Sequence, residues 1–253
     1  MADEPGSADR AKKAAAEQAV RLVERRMKVG LGTGSTAAWF VRMLAERSAR
    51  EDLDLICVAT SNATAELARD NGLTVVEFAG NLRLDLTVDG ADEVDDELRM
   101  IKGGGAALLR EKIVACASDR MVAIADASKR VPALGAFPLP VEVVRFGWEV
   151  TRATIGEILA DAEVEGREIT LRMAGEVPLV TDEGHYILDL HLKRIGDPEW
   201  LATTVATVPG VVEHGLFLDI AERAILGHAD GTTAELSRGS APGTGGRGER
   251  RAT

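Results

Sequence analysis

Short apolar runs alternate with segments of helical spacing through the first half of the sequence, and this alternation constrains the fold more than any other feature. In the helical segments apolar residues recur every three or four positions, whereas the apolar runs are short and end in small or polar residues. The predicted strands cover 28–31, 53–59, 84–88, 99–101 and 120–125, and the predicted helices cover 11–27, 35–47, 62–71 and 106–118. This order predicts an α/β fold, in which a mainly parallel sheet carries helices on both faces.

Three prolines between residues 132 and 140 mark a change of pattern, because proline disfavours helix in this part of the chain. Beyond them we expect a small α+β domain at 132–212. A last apolar run at 219–226 is expected to return to the first sheet, so that the large domain comprises 1–131 and 213–230. In the small domain, the predicted strands cover 139–144, 168–173, 179–181 and 185–192, and the predicted helices cover 149–161 and 198–207.

Composition and charge argue against several classes of protein. The sequence has 41 Asp and Glu against 30 Lys and Arg, and the resulting formal charge of −11 disfavours contact with nucleic acid or anionic membranes. No apolar run approaches the roughly 18 residues that span a bilayer, and the first residues do not resemble a secretory signal, so we expect a cytoplasmic location. The Gly-, Ser- and Arg-rich residues 237–253 are predicted to be disordered. Cys57 and Cys116 lie in apolar runs, which predicts two buried thiols.

A glycine-rich turn at 30–36 joins a predicted strand to a predicted helix. Free backbone N–H groups at such a helix start favour an anion, and the hydroxyls of Thr33, Ser35 and Thr36 add further donors. The turn is therefore a candidate phosphate site. A plain tight turn with Ser35 as the helix cap is the alternative.

The same turn also fits the dinucleotide-binding fingerprint through Gly32, Gly34 and Ala37, so a nicotinamide enzyme is a further alternative. A dinucleotide site needs an acidic residue at the end of the next strand to hold the ribose. That strand ends in Ala59, Thr60 and Ser61, which argues against this alternative. No Gly-Lys-Ser/Thr sequence closes the turn, so an ATPase is not expected.

Asp89 and Asp92 directly follow the apolar run at 84–88, where an open α/β sheet places its ligands. The four further acids between Glu93 and Glu97 are more simply explained as a solvated charged run. A Mg²⁺ site made by Asp89 and Asp92 with a phosphate is the rival functional interpretation, although no third ligand is evident.

Lys102 precedes a second glycine stretch, at 103–105, which opens a predicted helix. A lysine there can neutralise an oxyanion or a phosphate, and a solvated loop is the alternative. Glu111 lies on the apolar face of that helix and has no basic residue four positions away on either side. Burial raises the pKa of such a carboxyl, which suits a general base near neutral pH, while a glutamate at the edge of the core is the alternative.

Six motifs occur in order along the chain: GLGTGST, VDGADE, KGGGAALLREKI, FPLPVEVV, TDEGHYILD and PGVVEHGLF. Together they resemble ribose-5-phosphate isomerase, type A, over residues 12–227. The resemblance implies a Rossmann-like sheet domain with an inserted ferredoxin-like α+β small domain. It also implies reversible conversion of D-ribose 5-phosphate to D-ribulose 5-phosphate through an enediolate.

The resemblance also assigns roles to individual residues. It implies Glu111 as the general base, with Asp89, Asp92 and Lys102 as the other catalytic residues. It implies no cofactor and no metal, a sugar phosphate as the ligand, and a homodimer or homotetramer. The implied substrate-binding residues are Lys12, Thr33, Gly34, Ser35, Thr36, Asp89, Gly90, Ala91, Asp92, Lys102, Gly103, Gly104, Gly105 and Lys129.

Three residues depart from the family pattern, namely Glu183, His185 and His214, and all are expected to lie outside the chemistry. His185 and His191 are expected to be structural. Three rival functions remain at this point: a sugar-phosphate sensor, a Mg²⁺-dependent phosphosugar enzyme, and acyl transfer from coenzyme A with a glutamate nucleophile. The sensor needs a segment that binds DNA, and the acidic charge and the short stretch before the first strand argue against one.

Overall fold

The computed structural model describes residues 6–238 as six α-helices and fifteen strands. The predicted disorder of 237–253 thus falls outside the described residues except at Ser237 and Arg238. The helices are α1 (Ser7–Val20), α2 (Ser35–Glu51), α3 (Asn62–Asp70), α4 (Leu108–Cys116), α5 (Trp148–Asp161) and α6 (Pro198–Ala206). The strands are β1 (Lys28–Leu31), β2 (Ile56–Ala59), β3 (Leu86–Gly90), β4 (Glu93–Val94), β5 (Met100–Ile101), β6 (Met121–Asp126), β7 (Leu139–Val143), β8 (Glu168–Leu171), β9 (Met173–Ala174), β10 (Val177–Pro178), β11 (Tyr186–His191), β12 (Val211–His214), β13 (Leu216–Phe217), β14 (Arg223–Gly227) and β15 (Thr233–Ser237).

A six-stranded sheet in the order β15-β14-β6-β3-β1-β2 is the largest layer. All of its neighbouring strands pair in parallel except β14 and β15, which form an antiparallel edge. The alternation of side chains along β6 explains how helices cover both faces. Val122 and Ile124 pack with Phe40 of α2 on one face, whereas Ala123 packs with Ala115 of α4 on the other. The α/β class with a mainly parallel sheet is confirmed.

A second, antiparallel sheet in the order β12-β7-β11-β8 carries α5 and α6 against one apolar core. Its strands come between β6 and β14 in the chain, and β14 then pairs with β6 in parallel register. The predicted return of the last apolar run to the first sheet is therefore confirmed. We retain the division into 1–131 with 213–230 and an inserted 132–212 as a proposal.

Several expectations about local structure are wrong. The helix predicted to reach Met27 ends at Val20, and Ser237, the first residue of the predicted disordered tail, belongs to β15. The strand predicted at 179–181 is absent from the described chain, where β9 and β10 pair instead and the amide of Gly184 donates to the carbonyl of Thr181 to close a turn. Cys116 is exposed, whereas Cys57 is buried as expected. The reason is helical geometry: Ala115 faces the core, and the next residue of α4 points about 100° away from it. Among residues 6–238, no helix has the length and apolar character needed to cross a bilayer.

Candidate active site

A cavity of about 320 Å³ lies where β1, β3 and β6 end. Its walls come from the glycine turn after β1, the acidic turn after β3, the second glycine stretch and the residues after β6, with α1 at its edge. The lining residues are Ala8, Lys12, Thr33, Gly34, Ser35, Thr36, Gly90, Ala91, Asp92, Lys102, Gly103, Gly105, Glu111, Asp126, Ser128 and Lys129. Of the catalytic and substrate-binding residues that the resemblance implies, only Asp89 and Gly104 are outside this lining. Both contact residues within it.

The side chain of Asp89 lies directly beneath the glycine turn. Its Oδ1 accepts hydrogen bonds from the amides of Thr33 at 3.1 Å and Gly90 at 2.7 Å, and no part of the residue is exposed. A Cβ on Gly32 would lie 2.1 Å from that Oδ1 and 2.5 Å from the Asp89 Cα. Glycine is therefore required at position 32 because the backbone passes so close to Asp89.

We expect Gly32→Ala to displace Asp89 and to lower both stability and activity. Overpacking of this kind costs about 1–3 kcal/mol, because the nearest atoms include the backbone of a buried strand. Gly156→Ala is the matched control, since a Cβ there meets no atom within 4 Å and alanine favours the helix α5. Thermal unfolding and the reaction rate are measured for both variants. Equal melting temperatures in the two would contradict the steric argument.

The hydroxyl of Thr33 belongs to a closed chain of hydrogen bonds with the end of β2 and the start of α3. It donates to Ser61 Oγ at 2.9 Å, Ser61 donates to Thr64 Oγ1 at 3.0 Å, and Thr64 donates to the Gly32 carbonyl at 3.1 Å. Thr60 Oγ1 lies 2.7 Å from the same Thr33 oxygen. The strand end that lacks an acidic residue thus carries hydroxyls that hold the turn. Helix α2 begins at Ser35 with Gly34 as its N-cap, so Ser35 does not act as the cap.

Lys102, Asp89 and Glu111 form a buried charged triad at the floor of the cavity. The Lys102 Nζ lies 3.0 Å from Asp89 Oδ2 and 3.2 Å from Glu111 Oε2, and it donates to the Gly90 carbonyl at 2.6 Å. Each of the three residues is at most 2% exposed. Within the described chain, the two carboxylate oxygens that face Lys102 have no partner other than its ammonium, so the ammonium is what balances them.

One ammonium cannot balance two buried carboxylates, and the proton distribution of the triad follows from this. Burial and, next, the charge of Asp89 raise the pKa of Glu111 to about 8 against the opposing effect of Lys102. Burial also raises the pKa of Asp89, although Lys102 and, to a smaller extent, two backbone amides stabilise its charged form. Burial alone lowers the pKa of Lys102, and the two carboxylates outweigh that effect and raise it. The raised pKa of Glu111 agrees with the sequence-based expectation for a buried carboxyl on the apolar face of α4.

The second glycine stretch brings Asp92 into a fixed position. The amide of Gly104 donates to Asp92 Oδ2 at 2.7 Å, and the amide of Lys102 donates to the Gly215 carbonyl at 2.9 Å. Gly103 has a φ of +105°, in the left-handed region that favours glycine. Asp92 borders the cavity, whereas Asp89 lies below it, so the two aspartates of the motif occupy different places.

Two residues at the cavity were missed by sequence reasoning, Asp126 and Ser128. Both amide and hydroxyl of Ser128 donate to Asp126 Oδ1, in the 3₁₀ turn Ala127–Lys129. Asp126 ends the buried strand β6, just as Asp89 lies near the end of β3. The rule that singled out Asp89 could have found Asp126 too.

The three departures from the family pattern lie away from the cavity lining. His185 Nδ1 is 2.9 Å from Glu142 Oε1, and the Glu183 carboxylate accepts from Arg110. His214 is buried beside the Lys112 ammonium, and burial lowers the pKa of the imidazole to about 4. These contacts are structural, which fits the expectation that the departures lie outside the chemistry. His191 likewise contacts Thr170 within the second sheet.

A larger cavity, of about 630 Å³, lies beside α3 and α4. Its lining includes Arg110, Ile113 and Glu183 but none of the triad. Size alone would favour this cavity, but the buried charges and the three strand ends converge on the smaller one. We therefore place the candidate active site in the smaller cavity.

Comparison with known proteins identifies relatives over nearly the whole chain. A family model described as ribose 5-phosphate isomerase A (phosphoriboisomerase A) matches residues 56–231, a range that includes the triad and Asp92 but not the first glycine turn. Ribose-5-phosphate isomerase A of Dinoroseobacter shibae is 57% identical over 242 residues, which are 95% of this chain and 93% of the relative. The protein of the same name from a strain of Cereibacter sphaeroides is 60% identical over 231 residues, covering 91% and 92%.

Solved structures agree with these relatives. Ribose 5-phosphate isomerase from Plasmodium falciparum has a TM-score of 0.87 at 33% identity, over 91% of this chain and 99% of its own. A D-ribose-5-phosphate isomerase in complex with phospho-erythronic acid has a TM-score of 0.84 at 36% identity, again over 91% and 99%. Each of these solved structures therefore matches about nine-tenths of this chain.

Proposed function

This chain belongs to the ribose 5-phosphate isomerase A family, an aldose–ketose isomerase family that interconverts D-ribose 5-phosphate and D-ribulose 5-phosphate, and we propose that it works by proton transfer with Glu111 as the general base. The observation that carries this proposal is the burial of Glu111 against Lys102 at the cavity floor. A carboxyl with a pKa near the working pH can both take and return a proton.

The proposed reaction begins with the open-chain aldose. The Glu111 carboxylate takes the proton from C2, the C–H electron pair becomes the C1–C2 double bond, and the C1 carbonyl oxygen gains negative charge. Glu111 then returns the proton to C1 as the oxygen-bound proton moves from O2 to O1, which leaves the ketone at C2. Lys102 is a preorganised positive charge at the place where this oxygen charge develops, an arrangement that usually contributes much of the rate enhancement.

We assign different roles to the two aspartates. Asp92 borders the cavity and can hold sugar hydroxyls and assist ring opening. Asp89 is fully buried and joins Lys102 to the glycine turn, so its contribution is to fix the ammonium and the backbone that contact substrate. The Asp89 oxygens face two amides and an ammonium, which is a poor environment for a Mg²⁺ ligand.

The phosphate is proposed to bind at the first glycine turn. Gly34, Ser35 and Thr36 line the cavity at the start of α2, where free amides favour an anion. Lys12 and Lys129, which are far apart in the sequence, also line the cavity and add positive charge. A relative was solved in complex with phospho-erythronic acid, which supports a small phosphorylated compound as the ligand. A homodimer or homotetramer and a cytoplasmic location also remain proposals.

We expect the protein, after dialysis against EDTA, to convert ribose 5-phosphate to ribulose 5-phosphate and to incorporate solvent deuterium when the reaction reaches equilibrium in D₂O. Proton transfer through an enediolate gives Glu111 a proton that exchanges with solvent, whereas a hydride shift keeps the substrate hydrogen. NMR of the recovered sugars measures the label at C1 and C2. Unlabelled product would favour a hydride shift, activity only after Mg²⁺ addition would favour a metal enzyme, and binding without turnover would favour a sensor.

A further inference from the structure

We infer that Arg172 is a positioning residue that acts on Asp92 through a single peptide group of the glycine stretch. Arg172 lies between β8 and β9 of the second sheet, outside the cavity. Its Nη1 donates to the Gly103 carbonyl at 2.7 Å and makes a longer contact, of 3.4 Å, with the Gly104 carbonyl. The N–H of the same peptide group belongs to Gly104 and donates to Asp92 Oδ2 at 2.7 Å. This inference rests on the proposed function of Asp92.

The guanidinium of Arg172 is itself held in one orientation. Its Nε donates to Asp189 Oδ2 at 2.9 Å and its Nη2 donates to Asp189 Oδ1, so the pair is bidentate. The side chains of Arg172 and Asp189 are 13% and 15% exposed. These two contacts fix the plane of the guanidinium, and the remaining donor, Nη1, then lies toward the glycine stretch.

The Gly103 carbonyl accepts two hydrogen bonds, one from the Ala106 amide at 3.0 Å and one from Arg172, and only Arg172 is a charged donor. Glycine at φ +105° has no side chain to restrict the backbone, and Gly104 has no Cβ to pack. A charged donor on the carbonyl orients the peptide plane and polarises its N–H, so the bond to Asp92 is directed and strengthened. The same loop carries Lys102, but that side chain has its own anchors in Asp89, Glu111 and the Gly90 carbonyl. Asp92 is therefore the group most dependent on Arg172.

A double-mutant cycle between Arg172→Met and Asp92→Asn tests this inference. If Arg172 acts through Asp92, we expect Arg172→Met to lower kcat/KM by about tenfold in the otherwise unchanged protein and by less than twofold in the Asp92→Asn background. The dissociation constant of phospho-erythronic acid, measured by calorimetry, completes the same cycle without turnover. An equal factor in both backgrounds would mean that Arg172 acts independently of Asp92 and would overturn the inference.

Arg167→Met is the matched control. Arg167 also donates to backbone carbonyls, those of Leu159 in α5 and of Ala162 just after it, but it does not contact the glycine stretch. We expect it to lower the melting temperature and leave kcat/KM unchanged. Arg172→Lys serves if the Met variant does not fold, since lysine keeps the charge and loses the bidentate pair. Full activity of Asp92→Asn would refute the proposed role of Asp92, whereas additive effects with an impaired Asp92→Asn would refute only the coupling.

Discussion

Glu111→Gln is expected to lower kcat by roughly 10²- to 10⁴-fold, the usual contribution of a positioned general base. Glutamine has nearly the same shape as glutamate, but its amide cannot accept the substrate proton at catalytic rates. Lys102 keeps its contact with Asp89 and the Gly90 carbonyl in this variant, so the cavity floor retains one balanced ion pair. KM and the affinity for phospho-erythronic acid should therefore change little.

The pH dependence gives the sharper measurement of the same prediction. Because the pKa of Glu111 is raised to about 8, the base is increasingly ionised as the pH rises through that value, and kcat/KM of the unchanged protein should rise with it. The residual rate of Glu111→Gln should lack this rise. The sign for stability is opposite: a raised carboxyl pKa stabilises the fold below the unfolded value near 4.5, and this contribution is lost as the pH rises toward 8.

Glu142→Gln is the matched control for Glu111→Gln. Glu142 is also a buried glutamate, at 1% exposure, but it accepts from Thr181 and lies outside the cavity. We expect the control to lose stability and keep its kcat. A Glu111→Gln variant whose kcat stays within a few-fold of the unchanged protein would assign the base to another residue.

The sequence predicts the burial of Glu111 because helical spacing alone places this residue on the buried face of α4. The same reasoning cannot find its ionic partner. Lys102 comes from a loop, and its ammonium reaches Glu111 only because β5 pairs with β13 and the Lys102 amide is held by Gly215. Contacts of that kind depend on the tertiary arrangement of the strands, and the local sequence pattern does not reveal them.

The contacts of the two glycine stretches also could not be predicted from the sequence alone. Their composition predicts close backbone approach, and the structure adds which atoms approach: Asp89 beneath Gly32, and Asp92 beside Gly104. The hydroxyl chain through Thr33, Ser61 and Thr64 was not predicted, because these residues are joined only after β1 and β2 pair. Short apolar segments also remain ambiguous, as the absent strand at 179–181 demonstrates, because a turn at its end satisfies the backbone instead.

Lys102→Met should have the largest effect on stability of any single change at the site. It removes the cation from between two buried carboxylates, and loss of one partner of a buried ion pair costs about 3–5 kcal/mol. That is a large fraction of the roughly 5–15 kcal/mol that stabilises an ordinary domain. Removal of one preorganised oxyanion donor should also lower kcat by about 10²- to 10³-fold. Differential scanning calorimetry and the isomerisation rate measure the two effects.

A second substitution separates charge from packing in this prediction. Asp89→Asn in the Lys102→Met background removes one of the two carboxyl groups left without the ammonium and keeps an oxygen for the amides of Thr33 and Gly90. We expect the double variant to be more stable than Lys102→Met but no more active, because the ammonium that stabilises the oxyanion is still missing. The stability lost by Lys102→Met should also shrink as the pH falls toward the unfolded pKa of the carboxyls, where both are protonated in either state. The electrostatic explanation would be wrong if the double variant were no more stable than Lys102→Met and if the stability lost by Lys102→Met did not depend on pH. Lys102 would then stabilise the cavity floor by packing, for example against Phe217, whose ring centroid is 5.3 Å from the ammonium.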